Sequence, residues 1–171
     1  MSRAQTLPVL GPVAVLGLFL GACALPAGYY RGKFLEEGVS ADGWRVALFG
    51  WGALPLAGLP ALAWFANPLF GAGLVCLWRG RHAAAAKCAA AATGLGLLPL
   101  GLLPVGWSAS VRTWPDPALV FTHEWGDKVV AQAELQAGYF QWVTALGLQF
   151  AIAVVCWYRG REPSAPPALL E

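Results

Sequence analysis

The residues with the means to do chemistry are few, and most sit in one stretch: His123 and Glu124, with Asp127 just beyond and Asp116 upstream. An imidazole beside carboxylates can ligate a divalent cation, but this spacing matches neither a structural zinc site nor a calcium loop. A solvated loop is the plainer account, and a metal on His123, Glu124 and Asp127 the weaker one. His82 follows Arg81 and reads as part of a basic flank. The chain has no Ser-His-Asp set, phosphate loop or HExxH pattern, and no cofactor is expected. Cys23, Cys76, Cys88 and Cys156 lie in apolar stretches without Cys-x-x-Cys spacing, so each reads as a small hydrophobe. Cys23 also closes Leu20-Gly21-Ala22-Cys23, the form of a bacterial lipobox behind an apolar stretch and Arg3. The residues after it stay apolar where an exported lipoprotein turns polar, so an ordinary first span outweighs lipidation of Cys23.

The elements that must position these groups follow from composition. Of 171 residues, 58% are hydrophobic and 12% charged, against roughly one quarter charged in soluble domains. Uncharged runs of 27, 33, 24 and 24 residues separate Arg3 from Arg31, Arg45 from Arg79, Lys87 from Arg112, and Glu134 from Arg159. A membrane-crossing helix needs about 20 apolar residues, and backbone inside the hydrocarbon must satisfy its own hydrogen bonds. The runs lack strict alternation, so helices are expected. The sequence therefore predicts an all-α integral membrane protein: a four-transmembrane-helix bundle with spans near 8–28, 57–78, 89–107 and 137–158. Outer loops run over 29–45 and 108–136, residues 1–161 make one membrane domain, and the Pro-rich 162–171 is a disordered cytoplasmic tail.

Orientation rests on the basic residues. Loop 79–87 carries Arg79, Arg81 and Lys87 and no acid, while seven of the nine acids fall on the proposed outer side; cytoplasmic loops favour Lys and Arg. Val75-Cys76-Leu77-Trp78-Arg79-Gly80-Arg81 and Val155-Cys156-Trp157-Tyr158-Arg159-Gly160-Arg161 are near copies, each an aromatic then basic stop suited to a cytoplasmic exit. The runs they close should therefore be parallel. The location implied is a bacterial inner membrane, multi-pass, with N-terminus and C-terminus cytoplasmic.

The run 46–78 is too long for one straight crossing, since 33 residues of helix extend about 50 Å. An interfacial or kinked segment at 44–56 is expected before span 2, with Pro55, Pro60 and Asn67-Pro68 as candidate breaks. The alternative crosses at 46–66 and lays 69–78 on the inner surface. Leu119-Val120-Phe121-Thr122 and Val129-Val130 flank Gly126-Asp127 and suggest a small extracytoplasmic hairpin. Such a hairpin is marginal alone and must pack on loop 29–45 or the membrane. Polar residues inside the apolar runs are Asn67, Thr93, Gln141, Thr144 and Gln149, suited to hydrogen-bonding helices together. Gly17-x-x-x-Gly21 and Gly147-x-x-x-Ala151 offer close helix approach.

Three strings carry a family resemblance. The pairs Gly43-Trp44 and Gly50-Trp51, then Trp64-Phe65-Ala66-Asn67-Pro68, then Gly138-Tyr139-Phe140-Gln141-Trp142 resemble an uncharacterised family of small bacterial multi-span membrane proteins with a Trp-aromatic-Ala-Asn-Pro motif. The resemblance implies topology and bacterial origin and supplies no reaction. Pro68 is the helix break it points to.

The functional expectation is a non-enzymatic accessory or assembly partner in the bacterial inner membrane. Its partners are the lipid bilayer and either another membrane protein or a second copy of the chain. A formal net charge of +2 and no basic groove argue against nucleic acid. The alternatives are a small homo-oligomeric channel or transporter subunit lined by Asn67, Gln141 and Gln149, or a metal or lipid-modifying enzyme at the outer face.

Overall fold

The computed structural model describes residues 3–32, 35–50, 59–101, 107–113, 118–125 and 128–160. In chain order the elements are α1 (Arg3–Ala24), β1 (Pro26–Gly32), β2 (Leu35–Asp42), α2 (Gly43–Phe49), a 3-10 turn (Leu59–Phe65), α3 (Ala66–Trp78), α4 (His82–Gly101), β3 (Trp107–Arg112), β4 (Ala118–Trp125), β5 (Lys128–Leu135) and α5 (Ala137–Arg159).

Four helices pack side by side. Gly11 meets Ile152 and Gly21 meets Gln141, so α1 runs antiparallel to α5. Tyr139 donates to the Gly96 carbonyl and His82 lies near Gly160, which sets α4 antiparallel to α5 as well. Trp142 reaches Asn67 and Gln149 reaches Phe70, so α3 and α5, which end in the two near-identical strings, point the same way. Val15, Ala66, Phe70, Leu74, Ala92 and Leu146 form the shared core, with Phe19 stacked on Phe70 at 4.6 Å. The Ala-rich start of α4 explains the close fit: Ala85, Ala89 and Ala92, at helical spacing, are all fully buried. Small side chains on one stripe let helix backbones approach.

The α3–α4 turn is set by Gly80. Its φ of +69° is the left-handed conformation glycine adopts without strain. Gly80 N–H bonds to Leu77 O and Arg81 N–H to Cys76 O, the paired closure of a Schellman motif.

The expected all-α four-transmembrane-helix bundle is overturned. A five-stranded antiparallel sheet, ordered β2-β1-β5-β4-β3, is built from both interhelical loops. The expected hairpin at 119–130 is only its β4–β5 portion, and residues 26–42 and 107–112 add three further strands. Among the described residues, two helices, at His82–Leu100 and Ala137–Arg159, are long and apolar enough to cross a membrane; Leu10–Ala24 and Leu62–Trp78 are shorter apolar helices. The first run breaks because Pro26 has no N–H to continue a helix. Leu25 N–H folds back to Ala22 O and the chain turns into β1. Likewise Trp107 opens β3 rather than closing a helix.

All connections between sheet and helices leave one end of the bundle: the C-termini of α1 and α4 and the N-termini of α2 and α5. The basic turn 79–81 and Arg159 lie at the other end. The expected interfacial segment at 44–56 is α2 as far as Phe49, with Trp44, Val46, Leu48 and Phe49 exposed. Residues 51–58, including Trp51 and Pro55, and the tail 162–171 lie outside the described residues.

Candidate functional site

The residues of the aromatic strings converge where the sheet meets the helices. Ala47 lies in the last turn of the seven-residue α2, where helix geometry leaves carbonyls without partners. Two side chains supply them: Trp64 Nε1 donates to Ala47 O at 2.9 Å and Asn67 Nδ2 to the same oxygen at 3.4 Å. Asn67 Oδ1 in turn accepts from Trp142 Nε1 at 2.9 Å. The Trp-Phe-Ala-Asn-Pro string and the Gly-Tyr-Phe-Gln-Trp string are thus two halves of one staple, holding α2 onto the head of α3 and α5. Pro68 stands in the first turn of α3, where a backbone N–H would have no intrahelical acceptor, so the N–H that proline lacks costs the helix nothing; it lies at a helix start and does not break one. For Asn67→Ala the expected result is a loss of roughly 1–3 kcal/mol, because Trp142 Nε1 is left without its acceptor; Asn67→Asp should recover part of it, measured as detergent-solubilised thermal stability.

Below the staple, Gly43 and Gly138 grip the α1–β1 corner. Gly43 N–H donates to Leu25 O at 2.9 Å. A Cβ on Gly138 would stand 2.8 Å from Pro26 O and 2.9 Å from Leu25 O, and one on Gly43 would crowd Ala22 O. On the sheet, Glu134 is 5% exposed and accepts from both Arg112 nitrogens, at 3.0 and 2.8 Å. Gln132 at 2.8 Å and Gln136 at 3.3 Å complete its shell. Arg112 reaches across β4 to make this bidentate pair. Nothing in the sequence paired these two residues, 22 positions apart.

The other candidates distribute as follows. Gln141 Nε2 donates to Leu18 O at 3.1 Å, tying α1 to α5. Gln149, fully buried, donates to Phe70 O at 2.8 Å, and its Oε1 has no hydrogen-bond partner among the described residues. Gln141 thus ties α1 to α5 and Gln149 ties α3 to α5. Thr93 and Thr144 return to their own helices at Ala89 O and Phe140 O. Cys23 is half-buried in the last turn of α1. His123 and Glu124 are neighbours on β4 at a register irregularity, and Asp127 and Asp116 lie outside the described residues. Among the described residues, no three His, Cys, Asp or Glu side chains gather as a metal site. Gly21 packs on Gln141, whereas a Cβ at Gly17 or Gly147 would meet nothing within 4 Å. No family model matches the chain, and no curated protein or solved structure matches it either.

Proposed function

We propose that this chain is a membrane-anchored accessory protein that presents its sheet, on the outer side of a bacterial inner membrane, to a protein partner. The observation carrying this reading is the sheet itself, clamped to one end of an apolar bundle with β3 as an edge strand whose Ser108, Ala109, Ser110 and Val111 are exposed, Val111 at 73%. An unpaired edge offers backbone donors and acceptors for strand addition by a partner. Membrane anchoring is supported by the outward apolar residues of the helices: Leu10, Val13 and Leu20 on α1, Val75 and Trp78 on α3, Leu97 on α4, and Leu148, Phe150 and Val155 on α5. In water, an apolar surface of that extent is a liability. In this arrangement α4 and α5 cross the bilayer with α1 and α3 packed beside them. The end that carries the basic turn 79–81 and Arg159 then faces the cytoplasm together with both termini.

The test uses cysteine labelling and recovery of the partner. With the four native cysteines replaced by serine, Ser110→Cys should react with a membrane-impermeant maleimide in spheroplasts, and Arg79→Cys only after lysis. A photo-cross-linker at Ser110 should then capture one protein in stoichiometric yield, and Val111→Lys, a charge set into the edge, should abolish that capture. Equal labelling of both positions would defeat the orientation. A capture unaffected by Val111→Lys would defeat the edge as the docking element.

A further inference from the structure

At the end of the bundle away from the sheet, two depressions run together along the α4–α5 seam. The first, about 610 Å³, is lined by Gly80, Arg81, His82, Ala83, Ala84 and Trp157 together with Gly160. The second, about 360 Å³, shares Ala83 and Trp157 and continues past Ala86, Lys87, Ala90, Phe150 and Val154 to Tyr158. The first includes Arg81 and His82 among small residues, and the second is apolar apart from Lys87 and the Tyr158 hydroxyl. Their chemistry is that of one amphiphile, a charged head followed by a chain.

The charge of the head follows from the walls. Arg81 lines the first depression and Lys87 the second, and neither lining includes an Asp or Glu; Arg79 and Arg159 flank them in the chain. The first depression is also lined by the start of α4, His82 to Ala84. There the backbone N–H groups of His82, Ala83 and Ala84 have no intrahelical acceptor and the helix dipole is positive, a geometry suited to phosphate. The α3 cap holds Arg81 beside them through its bond to Cys76 O. Trp157 stands at the boundary of the two depressions, at the level where aromatic rings prefer the headgroup zone.

We propose that this seam is a binding site for an anionic phospholipid of the leaflet at that end, with the phosphate at the α4 N-terminus between Arg81 and Lys87 and one acyl chain along Ala83, Ala86 and Ala90. The inference rests on the membrane reading above. It goes beyond it in naming a lipid class and a seat.

Native mass spectrometry of the detergent-purified full chain, titrated with phosphatidylglycerol or phosphatidylcholine of the same acyl chains, tests it. Phosphatidylglycerol should bind at least tenfold more tightly. Each of Arg81→Ala and Lys87→Ala should weaken that preference by about fivefold, while Arg45→Ala at the opposite end leaves it intact. Ala90→Trp, which fills the trough from an exposed position, should reduce binding of both lipids. Equal binding of the two lipids, or a preference that survives the Arg81→Ala/Lys87→Ala double variant, would overturn the site. Displacement of phosphatidylglycerol by millimolar inorganic phosphate would overturn the lipid assignment in favour of a small-anion site. Carbonate extraction of cell membranes separates the two levels of failure. Release of the chain into the soluble fraction sinks the membrane reading itself; retention without lipid preference sinks only this inference.

Discussion

Gly138→Ala should cost this protein roughly 3 kcal/mol, although it adds one methyl group at the start of a helix, where alanine is ordinarily favoured. The added carbon has nowhere to go. Pro26 O, Leu25 O and Ala22 O all lie within 3.1 Å of its position, and all three are backbone atoms of the α1–β1 corner. Side chains give way by changing rotamer, but a carbonyl bound into a turn moves only with its chain. That corner is held from the opposite side by Gly43, whose N–H is bonded to Leu25 O, so relief in one direction tightens the other contact. Heating the detergent-solubilised variant should show a fall in Tm on the order of 10 °C. Gly147→Ala is the matched control, because it lies on the same helix with nothing within 4 Å of its Cβ position. It should be neutral or gain up to about 1 kcal/mol. A Gly138→Ala variant as stable as Gly147→Ala would show that the corner is not packed as described.

The same corner explains what was legible in the sequence. Apolar run length is a local property, so helix could be expected in each of the four runs but not its limits: α1 stops at Ala24, α3 begins only at Ala66 and α4 runs His82–Gly101. The two helices that end in the duplicated Trp/Tyr-Arg-Gly-Arg strings are parallel. The sheet was not legible because its pairings are non-local. Tyr29 on β1 pairs with Glu134 on β5, more than a hundred residues away. Segment 26–42 carries Arg31, Glu36, Glu37 and Asp42 among its apolar residues, which suggests a solvated loop when alternation is judged within one segment. Only the β4–β5 pair, with two residues between its strands, announces itself locally. The aromatic strings carried a signal whose meaning needed coordinates. Trp64, Asn67 and Trp142 stand out by type, but the acceptor that Trp64 and Asn67 share is the Ala47 carbonyl, with Trp142 donating to Asn67 Oδ1 behind them, and a backbone oxygen leaves no mark in sequence. Of the polar residues in the apolar runs, Asn67, Gln141 and Gln149 do join separate elements, whereas Thr93 and Thr144 bond back to their own helices. Which helices they join follows from packing alone.

Removing Arg112 should damage the sheet more than removing Glu134, and the asymmetry follows from where water reaches. The Glu134 side chain is 4% exposed and that of Arg112 38%. In Arg112→Met the carboxylate stays buried and keeps only Gln132 and Gln136 of the donors described above. Breaking a fully buried pair costs about 3–5 kcal/mol through the charge left behind. Because Arg112 is partly hydrated, its bond begins from a weaker value, and roughly 2–3 kcal/mol is the expected loss. In Glu134→Leu the guanidinium turns toward solvent and recovers hydration, while two amides lose an acceptor, so roughly 1–2 kcal/mol is expected. The Arg112→Met/Glu134→Leu double variant no longer buries an unpaired charge and should be no less stable than Arg112→Met alone. A double-mutant cycle on thermal unfolding measures the difference as a coupling energy. Additive losses, or a Glu134→Leu variant less stable than Arg112→Met, would mean that desolvation of the carboxylate does not govern this face of the sheet. The outcome also bears on the proposed partner surface. Arg112 is the last residue of β3 and Ser110 and Val111 precede it, so the bond to Glu134 fixes the edge strand that the partner is proposed to meet. Loss of Arg112 should therefore lower cross-linking from Ser110 in proportion to the fraction of molecules with β3 detached, while the helices beneath remain folded.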